Sequence, residues 1–186
     1  MTEDNQLIRE TLSGNSGAFG ELVRRYQNRL FNTLVRVTSC REEAEDVVQE
    51  AFVQAYTKLE SFRGKSTFYT WLYRIAFNLS VSRSRRKRPE ISVDQIREKA
   101  GIEPVDGAAE PTYHMEQQER AEQVRSALNT LSTEHRSIIV LREIDNFDYD
   151  AIADTLKIPV GTVRSRLHRA RLQMRQELQQ IFQEHG

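Results

Sequence analysis

The sequence predicts an all-α protein made of two small helical domains joined by a flexible linker. Apolar residues recur at helical spacing in both halves of the 186-residue chain. Strand-like alternation and hairpin dipeptides between apolar runs are essentially missing. Three of the four prolines lie in one polar stretch, at positions 89, 104 and 111. Residues 89–115 are therefore predicted to be the linker, with domains at 1–88 and 116–186.

Charge is sorted along the chain although its total cancels. The 27 Lys and Arg residues equal the 27 Asp and Glu residues, so net charge says nothing about a polyanionic partner. Residues 63–88 contain eight basic and no acidic residues, and residues 157–176 contain six basic and no acidic ones. Residues 42–60 contain six acidic residues and one basic one, and residues 90–122 contain nine acidic and three basic ones. Two separate basic segments favour nucleic acid as a partner.

The first domain begins with two predicted helices. The first of these has an apolar stripe of Phe19, Leu22, Tyr26, Leu30 and Leu34. Ser39 and Glu42 form a plausible capping box for the second, at residues 41–59. The face of this helix opposite its apolar stripe carries Asp46, Gln49, Glu50 and Val53. Such a face is usually only solvated, and these residues by themselves favour that interpretation.

The next segment combines aromatic and basic residues. Ser66 is a candidate cap for a helix whose predicted buried stripe is Phe68, Leu72, Ile75 and Leu79. Tyr69, Tyr73 and Phe77 fall on a different face of that helix. Aromatic rings among basic side chains suit single-stranded nucleic acid, because bases stack on rings while cations bind phosphates. The alternative, that these rings pack against neighbouring helices, is equally good for any single ring.

The second domain ends in a predicted helix-turn-helix. Asp148 is a natural N-cap for its first helix, and Pro159 suits the first turn of its second helix. The second helix has a predicted buried stripe of Val163, Leu167, Ala170, Met174, Leu178 and Ile181. Arg164, Ser165, His168 and Arg169 point away from that stripe, and Arg166 and Arg171 lie on its flanks. A cationic exposed face on the second helix points to DNA.

Several classes of protein have no support in the sequence. No apolar run approaches the length that spans a bilayer, and the acidic start MTEDNQLIRE is unlike a signal peptide. The protein is therefore expected to be cytoplasmic, without membrane insertion. The single cysteine, Cys40, has no ligand neighbours at metal-binding spacing. Neither a phosphate-binding glycine loop nor a catalytic set is recognisable. We expect no enzymatic activity, no metal and no cofactor.

Three segments together resemble a known family. The segments DVVQEAFVQAY, SFRGKSTFYTWLYRIAFN and DYDAIADTLKIPVGTVRSRLHRAR occur in the order and spacing of a bacterial RNA polymerase sigma factor. The resemblance is to the extracytoplasmic function (ECF) group of the sigma-70 family, and it extends from about residue 7 to residue 182. It implies region 2 in the first domain and region 4 in the second. It also implies a function in promoter recognition and DNA opening by RNA polymerase.

The resemblance assigns roles to residues of the first domain. A helix like residues 44–56 binds the β′ clamp helices of core polymerase, with Asp46, Gln49, Glu50 and Val53 as candidate contacts. The loop 61–66 and the following helix recognise and melt the −10 element and capture a flipped base. The candidate −10 residues are Phe62, Arg63, Lys65, Tyr69, Arg74 and Asn78.

In the second domain the resemblance places the cationic helix in the major groove of the −35 element. Candidate base contacts are Arg164, Ser165, His168 and Arg169, and candidate phosphate contacts are Thr162, Arg166 and Arg171. The apolar helices of this domain are expected to bind the β flap, and an anti-sigma factor is expected as a regulator. Two other functions fit the sequence less well. An ordinary helix-turn-helix regulator leaves residues 62–88 unexplained, and a nucleic-acid-processing enzyme lacks catalytic candidates.

Overall fold

The computed structural model describes the backbone of residues 2–87 and 111–184, and the side chains of residues 2–83 and 118–183. All regular secondary structure within these residues is helical, which confirms the predicted all-α class. The chain forms two compact units, one made mainly of the helices before residue 88 and the other mainly of the helices after residue 110. Residues 89–110 of the predicted linker lie outside the described residues.

The first unit contains four α-helices among the residues described. These are α1 (Glu3–Leu12), α2 (Ser16–Thr38), α3 (Arg41–Thr57) and α4 (Phe68–Lys87). A short 3₁₀ turn, Leu59–Ser61, follows α3. Helices α2 and α3 match the predicted pair, whereas α1 was not predicted. The signals for α1 are Glu3 and Asp4 in its first turn and Arg9 in its last turn, which suit the helix dipole.

The core of the first unit is formed by apolar faces of α2, α3 and α4. Leu22, Leu30 and Leu34 of α2 are fully buried, as are Val47 and other apolar residues of α3. The predicted buried stripe of α4 is wrong in its extent. Phe68 and Leu72 are buried, but so are Tyr69 and Tyr73, while Ile75 and Leu79 are only half-buried. The reason is that α4 packs against both α2 and α3, so a broad sector of its surface is covered.

Two predicted helix caps are wrong. Ser39 does not cap α3, because it ends α2 with a left-handed φ of 58°. The N-cap of α3 is Cys40, which makes no side-chain cap hydrogen bond. Thr67, one residue after Ser66, accepts the cap bond of α4 at Oγ1 from the N–H of Thr70, at 3.1 Å. In both cases the helix begins one residue later than the cap residue chosen from the sequence would require.

The second unit contains four more α-helices among the residues described. These are α5 (Pro111–Thr130), α6 (Thr133–Ile139), α7 (Tyr149–Leu156) and α8 (Val160–Glu184), and a π-helical segment, Val140–Ile144, continues α6. Helix α5 begins inside the predicted linker. A proline is well placed there, because the first N–H of a helix has no intrahelical partner.

The predicted buried stripe of α8 is confirmed only in its first half. Val163, Leu167 and Ala170 are buried, whereas Met174, Leu178 and Ile181 are half-buried. Arg136 is buried at the turn that joins α5 and α6. Its guanidinium donates to the carbonyls of Asn129 and Leu131, both at 3.1 Å, and burial lowers its pKa. These bonds fix that turn from inside.

The helix-turn-helix has the predicted cap and a strained turn. Asp148 caps α7, because its Oδ1 accepts from the N–H of Ala151 at 2.6 Å. Lys157 follows α7 with a left-handed φ of 55°, and the N–H of Ile158 donates back to the carbonyl of Ala153. Helix α8 begins at Val160, so Pro159 lies immediately before the helix and not, as predicted, in its first turn. Asn146, after the π segment, is also left-handed, with a φ of 57°.

Helix α1 is held on α2 by a buried contact and a polar one. Ile8 and Thr11 are buried. Asp4 accepts a hydrogen bond from the Tyr26 hydroxyl at 2.5 Å and one from Arg25 at 2.7 Å. Burial, and then the hydrogen bond to Asp4, raise the pKa of Tyr26 to about 12.

Among the described residues, no helix combines the length and apolarity needed to cross a membrane.

The hydrogen bond between Tyr26 and Asp4 predicts a pH dependence of stability. Tyr26 has a raised pKa in the folded state, so its contribution is complete below the unfolded pKa of about 10 and is lost as pH rises through about 12. Tyr26→Phe should lower the free energy of unfolding by about 1 to 2 kcal/mol at pH 7. It should also flatten the decline between those two pH values. Urea titrations across this range measure both effects, and parallel pH curves for the two proteins would refute the assignment.

Candidate nucleic-acid interface

The loop between α3 and α4 is anchored by one aromatic ring. Phe62 is half-buried and packs against Phe68 at 6.1 Å and Trp71 at 5.4 Å between ring centroids. Gly64 has a φ of 68°, a conformation that suits glycine and turns the chain sharply. Arg63 and Lys65, on either side of it, are exposed. The loop therefore presents two cations on a backbone fixed by Phe62.

Tyr69 does not meet the prediction that it contacts nucleic acid. Its side chain is only 3 % exposed. The ring stacks on Tyr26 at 5.7 Å, and the Arg29 guanidinium covers it at 3.9 Å from the centroid. Its hydroxyl hydrogen-bonds to Thr33 Oγ1 at 3.0 Å. A base cannot stack on a ring whose faces are already occupied, so Tyr69 is a packing residue that positions α4.

The other −10 candidates on α4 remain accessible. Asn78 is exposed and Arg74 is half-buried. The two residues are one turn apart, and the Asn78 amide donates to the Arg74 carbonyl at 2.8 Å. The amide keeps its carbonyl oxygen for other partners. Arg63, Lys65 and Arg74 belong to a segment, residues 63–83, that contains basic residues and no acidic ones.

The exposed face of α3 has both acidic and apolar character. Asp46 and Gln49 are exposed and Glu50 is half-buried, while Val53 is 66 % exposed. Arg83 of α4 reaches across to the two acids. Its Nη1 lies 2.9 Å from Asp46 Oδ2 and its Nη2 lies 2.8 Å from Glu50 Oε2. Sequence reasoning missed this bridge, because Arg83 was grouped with the basic run.

The predicted base-reading face of α8 is open to solvent. Arg164, Ser165, His168 and Arg169 are all exposed. Ser165 donates to the carbonyl of Thr162 at 3.1 Å, while within the described part of the chain Arg169 and His168 have no hydrogen bond or ion pair. The buried residues of α8 lie on the other side, at Val163 and Leu167. The helix therefore presents its cationic side to a partner.

The flanking arginines of α8 are paired within the second unit. Arg166 Nη1 lies 3.1 Å from Glu134 Oε2, and Arg171 Nη2 lies 2.7 Å from Glu143 Oε1. The Arg171 and Glu143 side chains are 50 % and 45 % exposed. Surface pairs of this kind contribute at most about 1 kcal/mol. A phosphate can therefore replace either carboxylate, which keeps both arginines available as phosphate contacts.

Tyr149, at the start of α7, was not singled out from the sequence. Its ring lies 5.9 Å from the guanidinium carbon of Arg164 and 5.1 Å from that of Arg142. Arg142 also donates to the carbonyl of Phe147 at 2.8 Å. An aromatic ring restricts where an arginine head group settles without neutralising it. Tyr149 thus orients Arg164 within the cationic face.

The second half of α8 borders an apolar groove of about 560 Å³. Residues from α5, the π segment and α8 line it, including Val124, Ile144 and Phe182. These three side chains are 40 %, 39 % and 55 % exposed. Glu143 and Arg171 lie at its edge. Exposed apolar side chains gathered around one groove are typical of a protein-binding surface.

Comparisons with known proteins agree with both units. Profiles for Sigma-70 region 2 and Sigma-70 region 4 match residues 22–90 and 121–174. The RNA polymerase sigma-H factor of Pseudomonas aeruginosa is 36 % identical, over 98 % of this chain and 97 % of that one. The ECF RNA polymerase sigma-E factor of Escherichia coli K12 is 40 % identical, over 90 % of each chain. The sigma factor RpoE of Bartonella quintana, solved with the anti-sigma factor NepR, matches with a TM-score of 0.71 and 27 % identity, over 87 % of this chain and 96 % of that one.

The chain therefore belongs to the ECF group of the sigma-70 family of RNA polymerase sigma factors. Proteins of this class bind core RNA polymerase, direct it to promoters with particular −35 and −10 elements and help to open the DNA. This confirms the function expected from the sequence.

The burial of Tyr69 gives a direct test of its role. Tyr69→Ala should lower the free energy of unfolding by about 3 to 5 kcal/mol, because it leaves a cavity among aromatic rings. Tyr69→Phe should cost only about 1 kcal/mol through the hydrogen bond to Thr33. The exposed Asn78→Ala serves as the control and should change stability by less than about 0.5 kcal/mol. Urea unfolding measures all three. A Tyr69→Ala protein of normal stability that fails to bind single-stranded DNA would restore the base-stacking hypothesis.

Proposed function

We propose that the two units divide promoter recognition between them. Helix α8 reads the −35 duplex, while the loop after α3 and the exposed side of α4 hold the separated −10 strand. The observation that carries this proposal is the presence of two cationic, solvent-exposed surfaces, each built on a buried apolar face. The chain supplies binding and strand capture, and the polymerase carries out the nucleotide chemistry.

At the −35 element, Arg164 and Arg169 contact base edges. Ser165 and His168 add hydrogen bonds. A bidentate arginine–guanine contact discriminates between bases by about 1 to 3 kcal/mol, and Arg169 is free of competing ion pairs among the described residues. Arg166, Arg171 and Thr162 contact phosphates, which position the helix without specifying sequence.

At the −10 element, the loop and α4 act together. Arg63 and Lys65 attract the strand to the loop, and Phe62 holds the loop in place through Phe68 and Trp71. Arg74 and Asn78 extend the surface along α4. The half-buried ring of Phe62 meets a displaced base, whereas Tyr69 is buried and does not.

Core polymerase binds the exposed face of α3. Asp46, Gln49, Glu50 and Val53 present carboxylates, an amide and an exposed apolar side chain on one side of the helix. This combination suits a partner helix with basic and apolar side chains, here assigned to the β′ clamp. The apolar groove beside α8 takes an apolar segment of the β flap.

An anti-sigma factor regulates the chain by competing for these surfaces. The structural relative from Bartonella quintana was solved with such a factor, and the groove beside α8 offers exposed apolar side chains to a protein partner. A protein that qualifies must both bind the full chain and suppress run-off transcription by the reconstituted holoenzyme. A binding protein that leaves transcription unchanged would not support this assignment.

Reconstitution tests the division of roles between the two units. Transcript mapping after overexpression supplies the promoter, and purified core enzyme plus the full chain should then initiate from it. Arg169→Ala should weaken binding to the −35 duplex by about tenfold or more. Phe62→Ala should slow strand opening, measured by permanganate reactivity, with duplex binding largely retained. Failure to bind core enzyme and to support run-off transcription would refute the function. Equal loss of both steps in both variants would refute the division.

The groove assignment has its own test. Phe182→Asp puts a charge on a side chain that lines the groove, whereas Gln180→Asp puts the same charge on an exposed position of α8 outside its lining. Phe182→Asp should weaken binding to core polymerase by about fivefold or more, since a buried charge costs more than the lost apolar contact. Gln180→Asp should leave it unchanged. Fluorescence titration with core enzyme compares them, and similar affinities for both variants would contradict the groove's role.

A further inference from the structure

Arg83 joins the two helices that the proposed function assigns to different partners. It lies on α4, within the basic segment, yet its guanidinium binds Asp46 and Glu50 on α3. The two acids are four residues apart, so both carboxylates stand on one side of the helix. Each guanidinium nitrogen takes one carboxylate, at 2.9 Å and 2.8 Å. This is the fork geometry that distinguishes arginine from lysine.

The bridge has short contacts, but its three side chains are partly exposed to water and to partners. The hydrogen bond that Arg83 donates to Glu50, followed by the one that it donates to Asp46, raises the pKa of Arg83. The side chains of Arg83, Asp46 and Glu50 are 30 %, 68 % and 40 % exposed. Exposed ion pairs stabilise a fold only slightly. Another cation or anion can therefore exchange into the bridge at little cost.

We propose that Arg83 couples polymerase binding at α3 to DNA binding at α4. The bridge satisfies the acids that the polymerase's basic groups would bind, and it also withholds a cation from DNA phosphates. This inference rests on the assignment of Asp46 and Glu50 to the polymerase interface. Arg83 is a positioning residue, since it acts on polymerase through those two acids.

The coupling follows from the competition for one contact. A basic group of the polymerase that binds Asp46 and Glu50 releases Arg83, whose charge is then available to a DNA phosphate. A DNA phosphate that binds Arg83 releases the two carboxylates for the polymerase. Each partner thus strengthens the other, and thermodynamic linkage requires the two effects to be equal. Free protein keeps both surfaces partly neutralised, which limits binding to DNA in the absence of polymerase.

The DNA half of the coupling is tested with the full chain and a short fluorescein-labelled single strand of mixed sequence. The double variant Asp46→Asn/Glu50→Gln should bind this strand more tightly than the wild type, partly because two negative charges are lost. In an Arg83→Gln background, the same two substitutions remove the same negative charge but release no cation. The gain in affinity for the single strand should therefore be about twofold to fivefold larger when Arg83 is present. Equal gains in the two backgrounds overturn the proposal.

The polymerase half is tested by titrating labelled protein with core enzyme at low salt. Arg83→Gln should tighten binding to core enzyme by about twofold to fivefold. The affinity of Arg83→Lys should lie between those of the wild type and Arg83→Gln, because an ammonium group cannot hold both carboxylates in the fork geometry of a guanidinium. Weaker binding by Arg83→Gln, with an unchanged thermal midpoint, overturns the proposal, since the bridge would then organise the acids rather than mask them. In the Asp46→Asn/Glu50→Gln background, Arg83→Gln should have no effect on this binding.

The two arms separate failure of this inference from failure of the proposed interface. If Asp46→Asn/Glu50→Gln leaves core binding unchanged, the α3 interface is wrong and the polymerase half of the coupling falls with it. The comparison of single-strand binding does not involve polymerase. It therefore still decides whether the bridge withholds Arg83 from DNA.

Discussion

The position of the cationic loop of the first unit depends on how Tyr69 of α4 packs against α2. Its ring is stacked on Tyr26, covered by Arg29 and tied to Thr33. Phe68, the residue before Tyr69 and the first of α4, contacts both Tyr26 and Phe62. One aromatic cluster therefore joins α2, the loop and the start of α4. Side chains packed at the density of a core do not move independently. The loop cations gain a defined position because rings behind them are fixed, and α1 supports the same cluster through the Asp4–Tyr26 bond.

Carboxylates beside the arginines give these surfaces a second property. Arg83, Arg166 and Arg171 each contact glutamates or aspartates of neighbouring helices, whereas Arg169 faces solvent. A surface of unpaired cations would bind any DNA through counterion release. The carboxylates that pair with these arginines lower that general attraction to DNA. Because the ion pairs are exposed, a well-placed phosphate can replace the carboxylate. Under the proposed division of roles, base contact then depends on cations such as Arg169, which has no ion pair among the described residues.

Periodicity and charge predicted the architecture because they are local properties. Helical spacing located α2, α3 and α8, and Asp148 was identified as a cap from its type and position. Apart from the two helix caps, which were displaced by one residue, the errors arose where a contact from another helix decided the outcome. Tyr69 has the composition of a base-stacking residue, and only its approach to Tyr26 and Thr33 buries it. In the sequence Arg83 is one member of a basic run, and only the fold shows that it contacts two acidic residues of α3. Periodicity also cannot show that Met174 and Leu178 border an open groove, because it gives the direction of a side chain and not what faces it.

The turns of this protein restrict which residues can occupy three positions. Ser39, Asn146 and Lys157 have φ values of 58°, 57° and 55°, and each lies just before the next helix or helical turn begins. Left-handed backbone is tolerated by glycine and asparagine, is costly for most residues and is worst for β-branched ones. Lys157 connects the two helices of the DNA-reading motif, so its backbone sets the angle at which α8 leaves α7. Sequence drift at this position is therefore confined by backbone geometry rather than by side-chain chemistry: glycine or asparagine can replace Lys157, while valine, isoleucine and threonine would redirect the recognition helix.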